Sequence, residues 1–333
     1  MAGEAGRPRI GVMIGDPGGI GPEVCVKALA TGEPQRLADV VLIGNLHVVE
    51  SAAKAAGVSM SVQAVESAAG ASGELFIPVL DSGSLRPEDY RIGASSAASG
   101  RAVKQWIDKA TALSNSGELD GWIMAPVNTT SLKDAGVLKD IDDLQPPGTF
   151  MFRLSGPLRV VPISEHLRIK DVAAAVTADR VLHVIRLVDK HLRRWGIAAP
   201  RIGVAGLNPH AMFEEDIEEI APAVARAKAE GLSAEGPVPP DSVFRQCIED
   251  RYDAVVTMYH DQGQIAVKTS VFEGACTVYL GLPYVQLSVP HGTAYDIAGT
   301  GKAQHRSMLA AMKTAAMLVA GKGFLHIPAE RAA

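Results

Sequence analysis

Three histidines follow apolar runs directly, each in a turn-rich context: His166 in SEHL, His210 in GLNPHA and His260 in MYHDQG. In α/β sheets, ligands bind at the carboxyl ends of strands. Three imidazoles delivered to such ends can form an open metal site, with water or substrate completing the shell. Nine histidines in 333 residues will place some at strand ends by chance, so the reading rests on the placement shared by all three. Asp261 adjoins His260 and can orient its ring from behind. Lys268 lies eight residues past His260. A nearby dication would lower its pKa and suit it to proton transfer; without one it is an ordinary surface lysine.

Two glycine-rich stretches offer backbone instead of side chains. Gly15–Glu23 (GDPGGIGPE) joins an apolar run to a helical one, and such turns can present N–H groups to an anion. The spacing is neither GxGxxG nor a P-loop, and a plain tight turn serves equally well. His291–Gly301 combines a His, an Asp and closely spaced glycines, which lets backbone approach a flat ligand or its phosphates.

The elements that must position these groups alternate along the chain. Arg9–Ile14, Val40–Ile43, Trp122–Val127, Leu158–Ile163, Ile202–Gly206 and Asp253–Met258 read as strands, with shorter β-like pieces at Cys276–Leu280 and Tyr284–Ser288. Pro22–Leu29, Leu46–Ala56, Ser95–Leu113, Asp171–Trp195, Glu214–Glu230 and Gln304–Leu318 read as helices. This alternation predicts a mainly parallel sheet covered by helices. Gly70–Gly73 and Gln145–Gly148 are the strongest loop or hinge signals.

Composition narrows the class. The chain is 47% hydrophobic and 21% charged, with a net charge of −5, which gives no electrostatic footprint for nucleic acid or an anionic membrane. No run of about 18 apolar residues suggests a membrane span, and the polar N-terminus lacks the apolar core of a secretory signal. The three cysteines are far apart, which argues against a disulfide frame or a thiolate zinc site. A cytoplasmic α/β protein without nucleic-acid or membrane partners is expected.

Five ordered motifs then carry a resemblance: GDPGGIGPE, GLNPHA, GPVPPDSVF (Gly236–Phe244), MYHDQG and HGTAYDIAG (His291–Gly299). From about Ile10 to Val319 the chain resembles the 4-hydroxythreonine-4-phosphate dehydrogenase family of pyridoxal-phosphate biosynthesis. The last motif is also similar to the HGSAPDIAG loop of the isocitrate and isopropylmalate dehydrogenases. The resemblance implies a two-domain isocitrate/isopropylmalate-dehydrogenase-like α/β fold with a cleft between domains. The expected division is residues 1–130 with 295–333, and 131–294. It implies a homodimer with a divalent metal at or near its interface, held by His166, His210 and His260, one of them from the partner. Zn²⁺ suits three histidines, with Mn²⁺, Co²⁺ or Mg²⁺ as alternatives. It implies NAD (or NADP) held by His291, Gly292, Thr293, Ala294, Asp296 and Gly299, and oxidation of a secondary alcohol followed by loss of CO₂. Lys268 matches a substrate-contacting lysine, and Asp241 a proton handler or metal-proximal carboxylate.

The chain departs from that family where the substrate phosphate is bound. After Asp134-Ala135-Gly136, the family's His and Thr align without a gap to Asp142 and Asp143. A family Asn becomes Thr277 and a family Arg becomes Gln286, which removes a bidentate anion clamp. Thr129 stands where the biosynthetic enzymes carry Lys. Two carboxylates at a phosphate site would repel it. The expectation is therefore the same chemistry on an unphosphorylated diol acid such as terephthalate cis-dihydrodiol, with Asp142, Asp143, Lys268, Thr277 and Gln286 around it. The alternatives are the 4-hydroxythreonine-4-phosphate enzyme itself and a catalytically silent metal-binding paralogue.

Overall fold

A computed structural model of the chain describes residues 6–68, 76–270 and 274–325; the Gly70–Gly73 loop signal lies outside them. The chain divides into two α/β units. The first comprises residues 1–147 and 282–320, the second 148–281 and 321–333. The divisions fall at 147/148 and 281/282, where 130/131 and 294/295 were expected. The reason at the second crossing is pairing: Val285–Ser288 runs parallel to Gly121–Met124, so it completes the first unit.

In the first unit, strands β1 (Arg9–Met13), β2 (Asp39–Gly44), β3 (Ser61–Ala64), β4 (Phe76–Asp81), β5 (Gly121–Met124) and β12 (Val285–Ser288) line up as β3-β4-β2-β1-β5-β12. All five neighbouring pairs are parallel. Strands of a parallel sheet are covered on both faces, so they read as unbroken apolar runs; β1, β2 and β5 do. The strands β3 and β4 escape a sequence reading because Gln63 and Pro78 interrupt the pattern. The covering helices are α1 (Gly21–Ala30), α2 (Glu33–Leu37), α3 (Leu46–Ala55), α4 (Ala97–Asn115), α5 (Thr129–Asp134) and α11 (Arg306–Val319). Helix α4 starts where the Ser96 hydroxyl accepts the Ser99 N–H, and it buries Ser99, Val103, Trp106, Ala110 and Ser114. That stripe has the helical period.

The second unit orders its strands β11-β6-β7-β10-β8-β9: β6 (Phe150–Ser155), β7 (Leu158–Pro162), β8 (Ile202–Ala205), β9 (Ala234–Val238), β10 (Ala254–Thr257) and β11 (Cys276–Leu280). Here the parallel expectation holds only for β7-β10-β8-β9. A two-residue turn at Gly156-Pro157 folds β6 back on β7 as a hairpin, and β11 runs antiparallel to β6. Gly156 takes φ +57°, a conformation that glycine reaches without steric cost. Helices α6 (Ile169–Ala175), α7 (Ala178–Arg194), α8 (Ala221–Ala229), α9 (Val243–Ile248) and α10 (His260–Ser270) complete the unit. The single helical region expected over Asp171–Trp195 is two helices. Val176 is extended, and the Thr177 hydroxyl accepts the Arg180 N–H to start α7 afresh. The chain returns to this unit at its end. The Phe324 ring lies 5.9 Å from Trp195 and 6.0 Å from Phe152, with the Arg159 guanidinium 4.6 Å from its face.

Cys25, Cys247 and Cys276 are all buried. Among the described residues, no helix is long and apolar enough to cross a membrane.

Candidate active site

The three histidines all fall in the second unit, each just past the carboxyl end of a strand. His166 follows β7 in an exposed loop, His210 sits in a short 3₁₀ turn after β8, and His260 is the first residue of α10 after β10. The fold brings two of them together: the His166 and His260 ring centroids are 5.2 Å apart, with planes inclined by 46°. The Oδ1 of Asp261 lies 2.7 Å from His260 Nδ1. That contact leaves Nε2 as the free face of the ring, as in a carboxylate-oriented metal ligand. The pair therefore fits a divalent cation in spacing and donor type. His210 does not join them in a cluster. Among the described residues, no group of three or more His, Cys, Asp or Glu stands poised around a cation.

His210 carries a different signature. Its φ is +59° and that of the following Ala211 is +55°. Two successive non-glycine residues in the left-handed region cost of order 1–3 kcal/mol each, and such strain gathers at functional sites. The loop is held by Asp216, fully buried, which accepts the Leu207 N–H (2.7 Å) and the Phe213 N–H (3.2 Å). Asn208 donates to Glu215 at 2.9 Å.

The remaining groups of this unit are dispersed around these segments. Lys268 is exposed on α10, two turns beyond His260, and Asp241 is exposed between β9 and α9. Thr277 lies on β11, half-buried, opposite Arg153. Arg153, 5% exposed, makes a two-pronged ion pair with Glu165 at 3.1 and 2.7 Å, which anchors the loop just before His166.

The two glycine-rich loops belong to the first unit and pack on each other. The structure favours the tight-turn reading of Gly15–Glu23, because four of its amides are spent inside the protein. Asp16 N–H donates to Pro126 O (2.9 Å), Gly18 N–H to Asp16 Oδ1 (2.8 Å), Gly19 N–H to Asp16 O (3.0 Å) and Ile20 N–H to Thr293 O (2.9 Å). A Cβ on Gly19 would stand 2.8 Å from that of Thr293, so this glycine is there for close packing. Asp16 is fully buried. Burial pushes its carboxyl up, partly offset by the Ser131 hydroxyl, the Gly18 amide and the Tyr295 hydroxyl.

The proposed cofactor residues divide accordingly. Thr293 is buried in this packing, and Ala294 takes φ +39°. Gly292 and Asp296 are exposed, and nothing would obstruct a Cβ on Gly292. His291 is half-buried with its Nε2 unpartnered, and burial holds its imidazole below the usual pKa. Gly299, at φ +71°, borders a cavity of about 230 Å³ shared with Gly19, Glu23, Ala52 and Ile92.

Asp143 and Gln286 line one wall of a second cavity of about 230 Å³ in the first unit, with Trp122, Met124, Gln145 and Tyr284. Gln286 is 2% exposed and its Oε1 has no partner; neither has the Trp122 Nε1–H beside it. Asp142 and Asp143 belong to a 3₁₀ turn, Ile141–Leu144, and both are exposed. Asp143 Oδ2 accepts the backbone N–H groups of Lys139 (2.8 Å) and Asp140 (3.0 Å), and these bonds hold its carboxyl below the usual range. Its Oδ2 thus caps a turn.

The profile of "Pyridoxal phosphate biosynthetic protein PdxA" matches residues 36–315. A Novosphingobium aromaticivorans protein named as a 4-hydroxythreonine-4-phosphate dehydrogenase is 44% identical over 97% of this chain and 98% of its own. A Clostridium botulinum protein named as a D-threonate 4-phosphate dehydrogenase is 35% identical, over 93% and 96%. Among solved structures, one named as a 4-hydroxythreonine-4-phosphate dehydrogenase from Salmonella typhimurium superposes with a TM-score of 0.85 at 35% identity, covering 93% of this chain and 99% of that one. These matches overturn the expectation of an unphosphorylated diol acid such as terephthalate cis-dihydrodiol. These three relatives, at 35–44% identity, are named for phosphorylated substrates. Asp143 keeps its negative charge, but its Oδ2 is occupied by two backbone amides of the turn.

Proposed function

This chain belongs to the PdxA family of pyridoxal phosphate biosynthetic proteins, and we propose that it is an NAD-dependent dehydrogenase of a four-carbon hydroxy acid 4-phosphate. The substrate we assign is 4-hydroxythreonine 4-phosphate. The single observation carrying the reading is the His166–His260 pair, 5.2 Å between ring centroids, at strand ends of a chain matched end to end by dehydrogenases of that name.

In this reading His166 and His260 hold a divalent cation, with His210 as the third ligand; zinc is the ion that best suits three imidazoles. When bound, the cation polarises the substrate oxygens and the nicotinamide accepts the hydride. The chain's own residues supply the rest. Asp261 fixes the His260 tautomer through Nδ1. Lys268 takes the proton from the C3 hydroxyl as the C3–H bond gives up its hydride. The resulting β-keto acid then loses CO₂ by cleavage of its C1–C2 bond, and Asp241 or Lys268 returns a proton to C2. His291, Gly292, Thr293, Ala294, Asp296 and Gly299 receive the dinucleotide.

The surface around the histidines supports a homodimer. Leu167 and Ile169 beside His166, Met212, Phe213 and Ile217 after His210, and Ile265 on the helix of His260 are between 46% and 71% exposed. Apolar side chains gathered in the segments that carry the ligands suit a face buried by a second copy, which would place the metal at or near the interface.

The test is NADH formation at 340 nm by the purified protein with added divalent metal. Turnover of 4-hydroxythreonine 4-phosphate is expected. Turnover of D-threonate 4-phosphate alone would keep the dehydrogenase and replace the substrate. No oxidation of either would overturn the reading.

A further inference from the structure

We propose that Gln262 is a positioning residue: its carboxamide locks the three histidine-bearing segments of the second unit into one hydrogen-bonded frame. As a statement about catalysis this rests on the metal-dependent reading above; as a statement about the frame it stands on bonds within the unit.

The amide is used at both ends. Gln262 Oε1 accepts the Met258 N–H at 2.7 Å, and its Nε2 donates to the Gly206 carbonyl at 2.8 Å. Met258 is two residues before His260, and Gly206 opens the GLNPHA loop of His210. The frame extends from both of these residues. The Met258 carbonyl accepts the Ser164 hydroxyl at 2.8 Å, and Ser164, 1% exposed, is two residues before His166. The Gly206 N–H donates to the Val238 carbonyl at 2.8 Å, three residues before Asp241. One side chain thus bridges β10 and β8 just past their ends, and single further bonds tie in β7 and β9.

The chemistry explains why glutamine stands here. Just past its strand, the Met258 N–H needs an acceptor and the Gly206 carbonyl a donor, and a carboxamide offers both at once. A carboxylate would satisfy the first and set two oxygens against each other at the second. An apolar side chain would leave both backbone groups without their partner, and a buried group so stranded carries its full desolvation penalty. Residues supporting metal ligands from behind typically change affinity by roughly 10- to 100-fold when removed.

The test compares wild type with Gln262→Met and with Ser164→Ala, which cuts a peripheral bond of the same frame. Hydrogen exchange of the full chain is read first. Faster exchange is expected in 164–170, 206–213 and 258–263 for Gln262→Met, in 164–170 for Ser164→Ala, and none in the first unit. Co²⁺ titration, followed by its visible absorption band, is expected to show at least roughly tenfold weaker binding for Gln262→Met. Its thermal midpoint should fall but stay well above the temperature of the titration. Wild-type exchange in all three segments, or loosened exchange throughout the unit, would overturn the proposal. So would Co²⁺ affinity equal to wild type. If wild type itself takes up no Co²⁺, the metal reading falls and the exchange result alone decides the role of Gln262.

Discussion

The imidazoles of His166 and His260, brought together from different strand ends, lie 5.2 Å apart between ring centroids. A cation shared between them would make each depend on the other. His166→Ala or His260→Ala is expected to lower turnover by at least about a hundredfold, and a chelator should abolish wild-type turnover until a divalent ion is restored. Steady-state NADH formation before and after metal stripping checks this. A histidine variant with full activity in the stripped protein would refute it.

The Asp261 carboxylate meets His260 Nδ1 at 2.7 Å. Asp261→Ala should weaken metal binding by roughly 10- to 100-fold without abolishing it. The ratio of dissociation constants from competition with a chromophoric chelator measures the effect.

Arg153 and Glu165 form a nearly buried, two-pronged ion pair. Removing one partner strands the other's charge away from water. Glu165→Ala is expected to cost about 3 kcal/mol, read as a lowered urea midpoint with an unchanged slope.

His191 Nε2 accepts the Gly281 N–H at 3.0 Å, which requires a neutral ring nitrogen. Burial, with smaller contributions from Arg194 and Lys190, holds the imidazole down to about 4. A folded value below the unfolded one of about 6.5 means that the unfolded chain binds the proton first. Stability is therefore full above about pH 6.5 and falls as pH drops toward 4, by up to roughly 3 kcal/mol. Urea midpoints across pH 4–7 should show this slope, and His191→Gln, which keeps an acceptor but does not titrate, should flatten it.

Gly100 faces Ser131 so closely that a Cβ would lie 2.0 Å from the Ser131 carbonyl oxygen. Gly100→Ala should destabilise the first unit by at least about 2 kcal/mol, although alanine is the better helix former. A thermal midpoint at or above wild type would show that α4 and α5 can separate freely.

The histidines were legible because each follows an apolar strand within a short polar motif, and the sheet delivers strand ends to one edge. Most strands of the first unit were legible for the related reason that a parallel sheet writes itself as apolar runs. The rest depended on bonds that a sequence does not display. Gln262 sits in MYHDQG beside a more conspicuous His and Asp, and only its two backbone partners reveal its use. Asp142 and Asp143 misled in the opposite direction. Counted as charges they repel a phosphate, yet the relatives matched above are named for phosphorylated substrates, and one Asp143 oxygen caps a 3₁₀ turn through two amides. The glycines of Gly15–Glu23 look like an anion cradle until the Gly18 and Gly19 N–H groups are traced to Asp16. Arg153 was missed because a charge within an apolar strand looks like noise until its carboxylate partner is located.

The crossings of the chain between the units set an order of synthesis. The first unit is begun first, but it lacks β12 and α11 until residue 319 has been made. The second is written into the middle, and its aromatic cluster waits for Phe324. On the ribosome, residues 148–281 therefore assemble their six strands while the older half is still an open sheet edge, exposed to other nascent chains. Limited proteolysis of chains arrested after residue 281 would read this as one resistant fragment from the younger half.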